Sequence, residues 1–341
     1  MFYKKFFIKY KNHEIIFRLM TKYYKNILIF YFFTFLSFPI YSKELKIAVL
    51  KFGSVNWELD VLEHHGLDKE FKLNLKRVQM TNKDAAAIAF LSDSADIFVT
   101  DWIWVSKQRY QGNKVSFLPY STAAGGLIIK NSSEITSIHD LKNKKVGIAG
   151  GSIDKSWLLF RAFFKKKYGM EATTFFRTSF AAPPLINGLL KTGDLDAGIN
   201  YWNYNARLKA QGFKVIINIE DMLPILGIKG DLPLIGYVFK EELLEREYDL
   251  VKRFLQATNL SRKILEESDE EWDRIMKLTG ARDKEMLISI RDSFRKGIPK
   301  SEIETLNQNI IKAYDILKNI GGKKLVGKGE RLAEGTIWNA N

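Results

Sequence analysis

Apolar and polar positions alternate in two different periods along this chain, and the periods take turns. Leu45 to Leu50 reads as a β-strand and runs into a loop of small and polar residues, Phe52-Gly53-Ser54-Val55-Asn56. A helical segment follows to His65, then an alternating strand over Leu73 to Met80 and an Ala-rich helix over Asp84 to Leu91. Asp96 to Thr100 predicts a short buried strand and Trp102 to Tyr110 a helix. This β-α order calls for a mostly parallel sheet with helices on its faces.

The pattern then restarts. Strands are predicted at Leu127 to Lys130, Lys145 to Ala149, Thr174 to Arg177, Asp196 to Asn200 and Lys214 to Ile217. Helices are predicted at Ser156 to Tyr168, Pro184 to Lys191 and Trp202 to Gln211. Leu234 to Phe239 looks like a return strand, and Glu241 to Ile320 reads as helices broken at Gly280 and at Gly297-Ile298-Pro299. One α/β unit inserted in another requires two crossings, expected near Ser121 to Gly126 and Leu223 to Leu232, where Gly and Pro concentrate. The expected division is residues 43–123 with 231–341 in lobe I, and 124–230 in lobe II.

Ahead of these units, Met20 to Lys25 is basic, Ile27 to Phe38 is an apolar run of 12 residues, and Ser42 is a small residue at the expected cut. That is the layout of a secretory signal peptide, with the mature chain starting at Lys43 and residues 1–19 reading as an extension ahead of a better start at Met20. The alternative is an uncleaved anchor. A permanent membrane span needs about 20 apolar residues, and the rest of the sequence holds no such run.

Composition narrows the function classes. With 46% hydrophobic and 27% charged residues, the chain suits a folded soluble protein with room for two units. The formal charge of +14 could point to nucleic acid, but residues 1–42 carry seven of the 53 basic side chains and one of the 39 acidic ones. The remaining charge is scattered and interrupted by acidic runs, unlike the concentrated face of a nucleic-acid binder. There is no cysteine, which excludes disulfides, thiol catalysis, Cys-zinc sites and a lipidated N-terminal Cys.

Enzymatic motifs are missing. No HExxH spacing or GxSxG elbow occurs; His64 and His65 are adjacent on a helix and His139 lies in a loop, so the histidines read as solvated or capping groups. No metal and no cofactor is expected.

In open parallel sheets ligands sit beyond the C-terminal ends of strands. The loops there are Phe52 to Trp57, Asp101-Trp102, Gly150 to Trp157 and Asn200 to Trp202. Trp57, Trp102 and Trp202 all follow strands and are candidate ring platforms, although a single Trp more often belongs to a core. The Gly151-Ser152 turn opens a helix whose free N–H groups could hold an anion. Asp101 and Asp154 suit either helix capping or ligand contact.

At these residues the chain resembles periplasmic substrate-binding proteins of ABC importers, in the nitrate/sulfonate/taurine class related to pyrimidine-precursor binders. The resemblance rests on Leu45-Lys46-Ile47-Ala48-Val49, on Ala95 to Asp101, on Asp140 to Ile148 and on Leu189 to Gly198, and covers nearly all of the mature chain. It implies a two-lobed type II periplasmic-binding-protein fold, each lobe a mostly parallel α/β sheet, with the ligand cleft between lobes. It also implies docking on a membrane permease with its ATPase, a monomer in the periplasm, and a sulfonate, taurine, nitrate-like or pyrimidine-like solute. Its ligand contacts map to Phe52, Gly53, Ser54, Asn56, Trp57, Asp101, Trp102, Ser121, Thr122, Gly151, Ser152, Asn200, Tyr201 and Trp202. The Trp-rich cleft and the segment Gly150 to Trp157 depart from the sulfonate pattern; Asp101 among tryptophans would also suit a cationic or aromatic solute. Two alternatives stay open: a sensory or accessory binding protein, and a pyrimidine-synthesis-type enzyme on the same fold.

Overall fold

In a computed structural model, residues 43–51 and 53–338 are described; the expected leader (residues 1–42) and Phe52 lie outside them. The strands are β1 (Glu44–Leu50), β2 (Asn74–Met80), β3 (Ile97–Thr100), β4 (Val115–Ser121), β5 (Gly126–Lys130), β6 (Lys145–Ala149), β7 (Arg177–Ala181), β8 (Ala197–Asn200), β9 (Phe213–Asn218) and β10 (Ile235–Lys240). The longer helices, numbered here in chain order, are α1 (Val55–His64), α2 (Lys83–Leu91), α3 (Trp102–Tyr110), α4 (Lys155–Tyr168), α5 (Pro183–Thr192), α6 (Trp202–Lys209), α7 (Ile219–Leu226), α8 (Tyr248–Glu267), α9 (Lys284–Lys296) and α10 (Ile303–Val326).

The strands form two five-stranded sheets, ordered β2-β1-β3-β10-β4 and β7-β6-β8-β5-β9. In the first, β1 pairs in parallel with β2 and β3, while β10 runs antiparallel to β3 and β4. In the second, β6 pairs in parallel with β7 and β8, while β5 runs antiparallel to β8 and β9. Each sheet thus has one reversed strand, and in each it is the strand that follows a passage from the other sheet. A chain arriving at the C-terminal edge of a parallel sheet can only enter it running backwards.

Side-chain alternation places the sheet faces. Leu45, Ile47 and Val49 of β1 pack with Leu59 and Leu62 of α1 and Phe254 of α8. Ala48 points the other way, into a cluster with Phe90 of α2 and Trp102 of α3. That cluster continues through α10 (Ile310, Ala313, Leu317) to α4 and to Val146 and Ile148 of the second sheet. The two sheets therefore share packing through their helices. The far face of the second sheet packs Ile128 and Ala149 on Ile186 and Leu190 of α5.

Two expectations shift. β4 carries Pro119 and was not expected as a strand; it forms at the edge of its sheet, where the missing N–H is tolerated. Its outer side is covered by the C-terminal tail, with the Phe117 amide on Thr336 O at 2.8 Å and the Trp338 amide on Phe117 O at 2.9 Å. The strand expected at Thr174 to Arg177 lies at Arg177–Ala181 instead, because Ala172–Phe175 forms a helical turn that buries Phe176 against Phe160 and Phe164.

Candidate functional site

The C-terminal ends of strands from both sheets meet at one carboxylate. β3 ends at Thr100, and Asp101 caps α3, its Oδ1 accepting the Trp104 amide at 2.9 Å. Its Oδ2 accepts two ammonium groups: Lys83 Nζ at 2.6 Å, from the start of α2 after β2, and Lys155 Nζ at 2.9 Å, from the start of α4 after β6. Lys155 belongs to the helix that follows a strand of the second sheet, so the ion pair spans the two sheets. The Asp101 side chain is 7% exposed and that of Lys155 19%.

Burial alone would raise the Asp101 pKa. The charges of Lys155 and Lys83, a hydrogen bond from Lys83 and the Trp104 amide outweigh it and hold the carboxyl well below the usual carboxylate range. Desolvation likewise pushes Lys155 down, but Asp101 and Asp154 raise it on balance. Both groups are thus charged across the ordinary pH range.

Next to this pair, Asp154 caps α4, with Oδ1 accepting the Ser156 and Trp157 amides at 2.9 and 3.2 Å. The Tyr201 hydroxyl lies beside the same carboxylate, both facing Gly150. Burial raises the Asp154 pKa despite these partners, and burial together with Asp154 raises that of Tyr201. Gly150 sits beneath them at φ +85°; a Cβ there would lie 2.4 Å from the Tyr201 hydroxyl, so the turn has no room for a side chain.

Other expected site residues are placed differently. Asn56, buried, donates from Nδ2 to Leu50 O and Gly53 O at 2.8 and 2.9 Å, closing the loop after β1 that holds Gly53 and Ser54. The Asn56 Oδ1, in the first turn of α1, and the Thr100 hydroxyl, at the end of β3, are buried and have no hydrogen-bond partner among the described residues. Ser121 and Thr122 both turn their hydroxyls to Gly297 O, at 3.3 and 3.2 Å, and Thr122 lines a cavity of about 150 Å³ with Glu220, Asp231 and Lys296 beside the passage between sheets. Asn200 is 1% exposed and spends its side chain on Pro183 O, Asn187 Oδ1 and the Tyr201 amide. Ser152 is exposed and accepts from Lys324 Nζ at 3.2 Å.

The expected anion cradle at the start of α4 is already filled, because Asp154 takes the Ser156 and Trp157 amides. The three indoles do not share one opening either. Trp102 is fully buried, with Nε1 donating to Pro233 O at 2.8 Å, a partner of the kind a buried indole requires. Trp57, 3% exposed, meets Trp202 edge-on at 6.0 Å, together with Trp272 and Phe294. Each indole sits in the first turn of a helix and folds into the layer between helices. Reading strand ends by residue type favoured aromatic and Gly-Ser loops and passed over Lys83 and Lys155, whose only signal is that each opens a helix directly after a strand-end loop.

A family model described as "NMT1/THI5 like" matches residues 61–271. No curated protein sequence matches the chain significantly. Among solved structures, the alkanesulfonate-binding protein SsuA from Xanthomonas axonopodis pv. citri bound to MOPS is similar with a TM-score of 0.67 at 14% identity, covering 89% of this chain and 100% of that one. The periplasmic aliphatic sulphonate binding protein SsuA from Escherichia coli gives 0.67 at 19% identity, over 87% and 92% of the two chains. An ABC transporter structure from Parabacteroides distasonis gives 0.66 at 13% identity, over 88% and 100%. With two mixed sheets in the arrangement these structures share, the chain belongs to the NMT1/THI5-like family.

Proposed function

We propose that the chain is the exported solute-binding component of an ABC importer, capturing a small organic solute between its two sheets and delivering it to a membrane permease. The observation that carries this reading is the Asp101–Lys155 contact, where strand ends of both sheets converge at 2.9 Å. In this reading residues 43–123 and 231–341 form one lobe and 124–230 the other, and parting them separates Lys155 from Asp101 and Trp202 from Trp57. A solute that bridges the lobes favours the closed arrangement by its differential affinity for it. The Asn56 Oδ1 and the Thr100 hydroxyl, beside the strand-end loops, are two polar atoms of the first lobe that such a solute can pair.

The fold neighbours named for sulfonate binding support this class, and a sulfonate, taurine, nitrate-like or pyrimidine-like solute is the range to test. The charges at the junction (Lys83, Lys155, Asp101, Asp154) balance, which favours a neutral or zwitterionic solute over a simple anion. Among the described residues no helix is long and apolar enough to cross a membrane, in keeping with a mature protein that meets its permease by docking. The reading assigns no catalytic step.

Native mass spectrometry of protein isolated from the exported fraction tests it. A co-purifying small molecule, released on denaturation and bound again on refolding, is expected. Absence of the protein from that fraction, or conversion of a pyrimidine precursor to product on incubation, would contradict it.

A further inference from the structure

A second cluster lies at the opposite end of α1 from the strand-end loops. His64 ends that helix and His65 caps it; both are exposed, with rings 5.1 Å apart and nearly perpendicular. The fold brings Glu271 to them from more than 200 positions down the chain, with His65 Nε2 at 3.2 Å from Glu271 Oε2. Ligand atoms of His64, His65 and Glu271 all lie within 4.8 Å of one another.

We propose that these three residues form a divalent-metal site of the zinc class. Two imidazoles and a carboxylate are a nitrogen-rich donor set that zinc accepts, with water completing a tetrahedron. The local charge also fits. Arg274 binds Glu271 Oε1 and Asp60 Oδ1, both at 2.6 Å, so one guanidinium is shared between two carboxylates. Arg274 occupies Oε1 and leaves Oε2 turned toward His65, the oxygen an ion would take. An ion here staples the end of α1 to the segment that carries Trp272, and Trp272 packs on Trp57 at 5.8 Å. The site is separate from the Asp101 junction and does not depend on the transport reading.

Isothermal titration with zinc chloride tests the site on the full chain, purified without a polyhistidine tag. One zinc per chain is expected, with affinity reduced at least tenfold in each of His64→Ala, His65→Ala and Glu271→Gln, and unchanged in His139→Ala, which removes an exposed histidine elsewhere. His64 and His65 are exposed, so retained folding can be verified by circular dichroism and a loss read as a loss of ligands. Bound zinc should also raise the thermal midpoint of the parent and not of His64→Ala. No binding to the parent, or equal binding by parent and all three variants, would overturn the proposal, as would an equal loss in His139→Ala.

Discussion

Beyond the helix packing that the two sheets share, two contacts between them differ in chemistry. One is apolar: Trp57 of α1 against Trp202 of α6, backed by Trp272 and Phe294. The other is ionic: Asp101 at the start of α3 against Lys155 at the start of α4, with Lys83 as a third member. The apolar contact gains by area and tolerates small shifts. The ionic contact is short, buried and directional, and separating it leaves charges that need water or another partner. An interface that must open and close can combine these, the first setting how much holds it together and the second setting where it closes.

Substitution separates the two contributions. Trp57→Ala should cost about 3–5 kcal/mol of unfolding free energy, the range for removing a buried indole, read from urea midpoints at constant slope. A cost below about 1 kcal/mol would mean that the cluster is loosely packed and collapses around the loss. Lys155→Ala should cost about 2 kcal/mol, less than a fully buried pair broken from one side, because Lys83 still neutralises Asp101. A variant as stable as the parent would reduce the ionic contact to a surface pair. Asp154→Ala removes the α4 cap and should cost about 1 kcal/mol, while freeing the Ser156 and Trp157 amides.

The smallest expected effect is that of pH. The Asp101 carboxyl is held below its usual 3.8, so its contribution is complete above that value and fades only as pH falls through the lower folded-state pKa. Lys155 is raised above its usual 10.5, so its contribution is complete below that value and is lost at still higher pH. The stability difference between the parent and Lys155→Ala should therefore be flat from pH 5 to 9, where neither group of the pair titrates. A step in that difference near pH 6 or 7 would show that another group governs the contact.

The general plan was legible because most strands and helices carry their period in a few residues, as in Leu45 to Leu50. The two passages between sheets could be located because glycine marks them; a Cβ on Gly125 would meet Asn200 O at 1.6 Å. β4 was hidden by Pro119, whose cost depends on an edge position that only the assembled sheet reveals. At the strand-end loops the structure spends several of the expected side chains on packing and capping. Trp102 satisfies its indole N–H in the core, and Asn200 is used up on Pro183 and Asn187 beside it. Lys83 and Lys155 acquire meaning only through Asp101, and His64 and His65 only through Glu271; partners so distant in the chain leave no local spacing to read.

The absence of cysteine permits a direct test of lobe closure. Spin labels at Thr81→Cys and Ser152→Cys, exposed positions following β2 and β6, report the separation of the two strand-end edges by pulsed electron resonance. The account predicts a longer, broader distance distribution in protein stripped of its solute and a single short distance once the solute is restored. One unchanged distance under both conditions would contradict it.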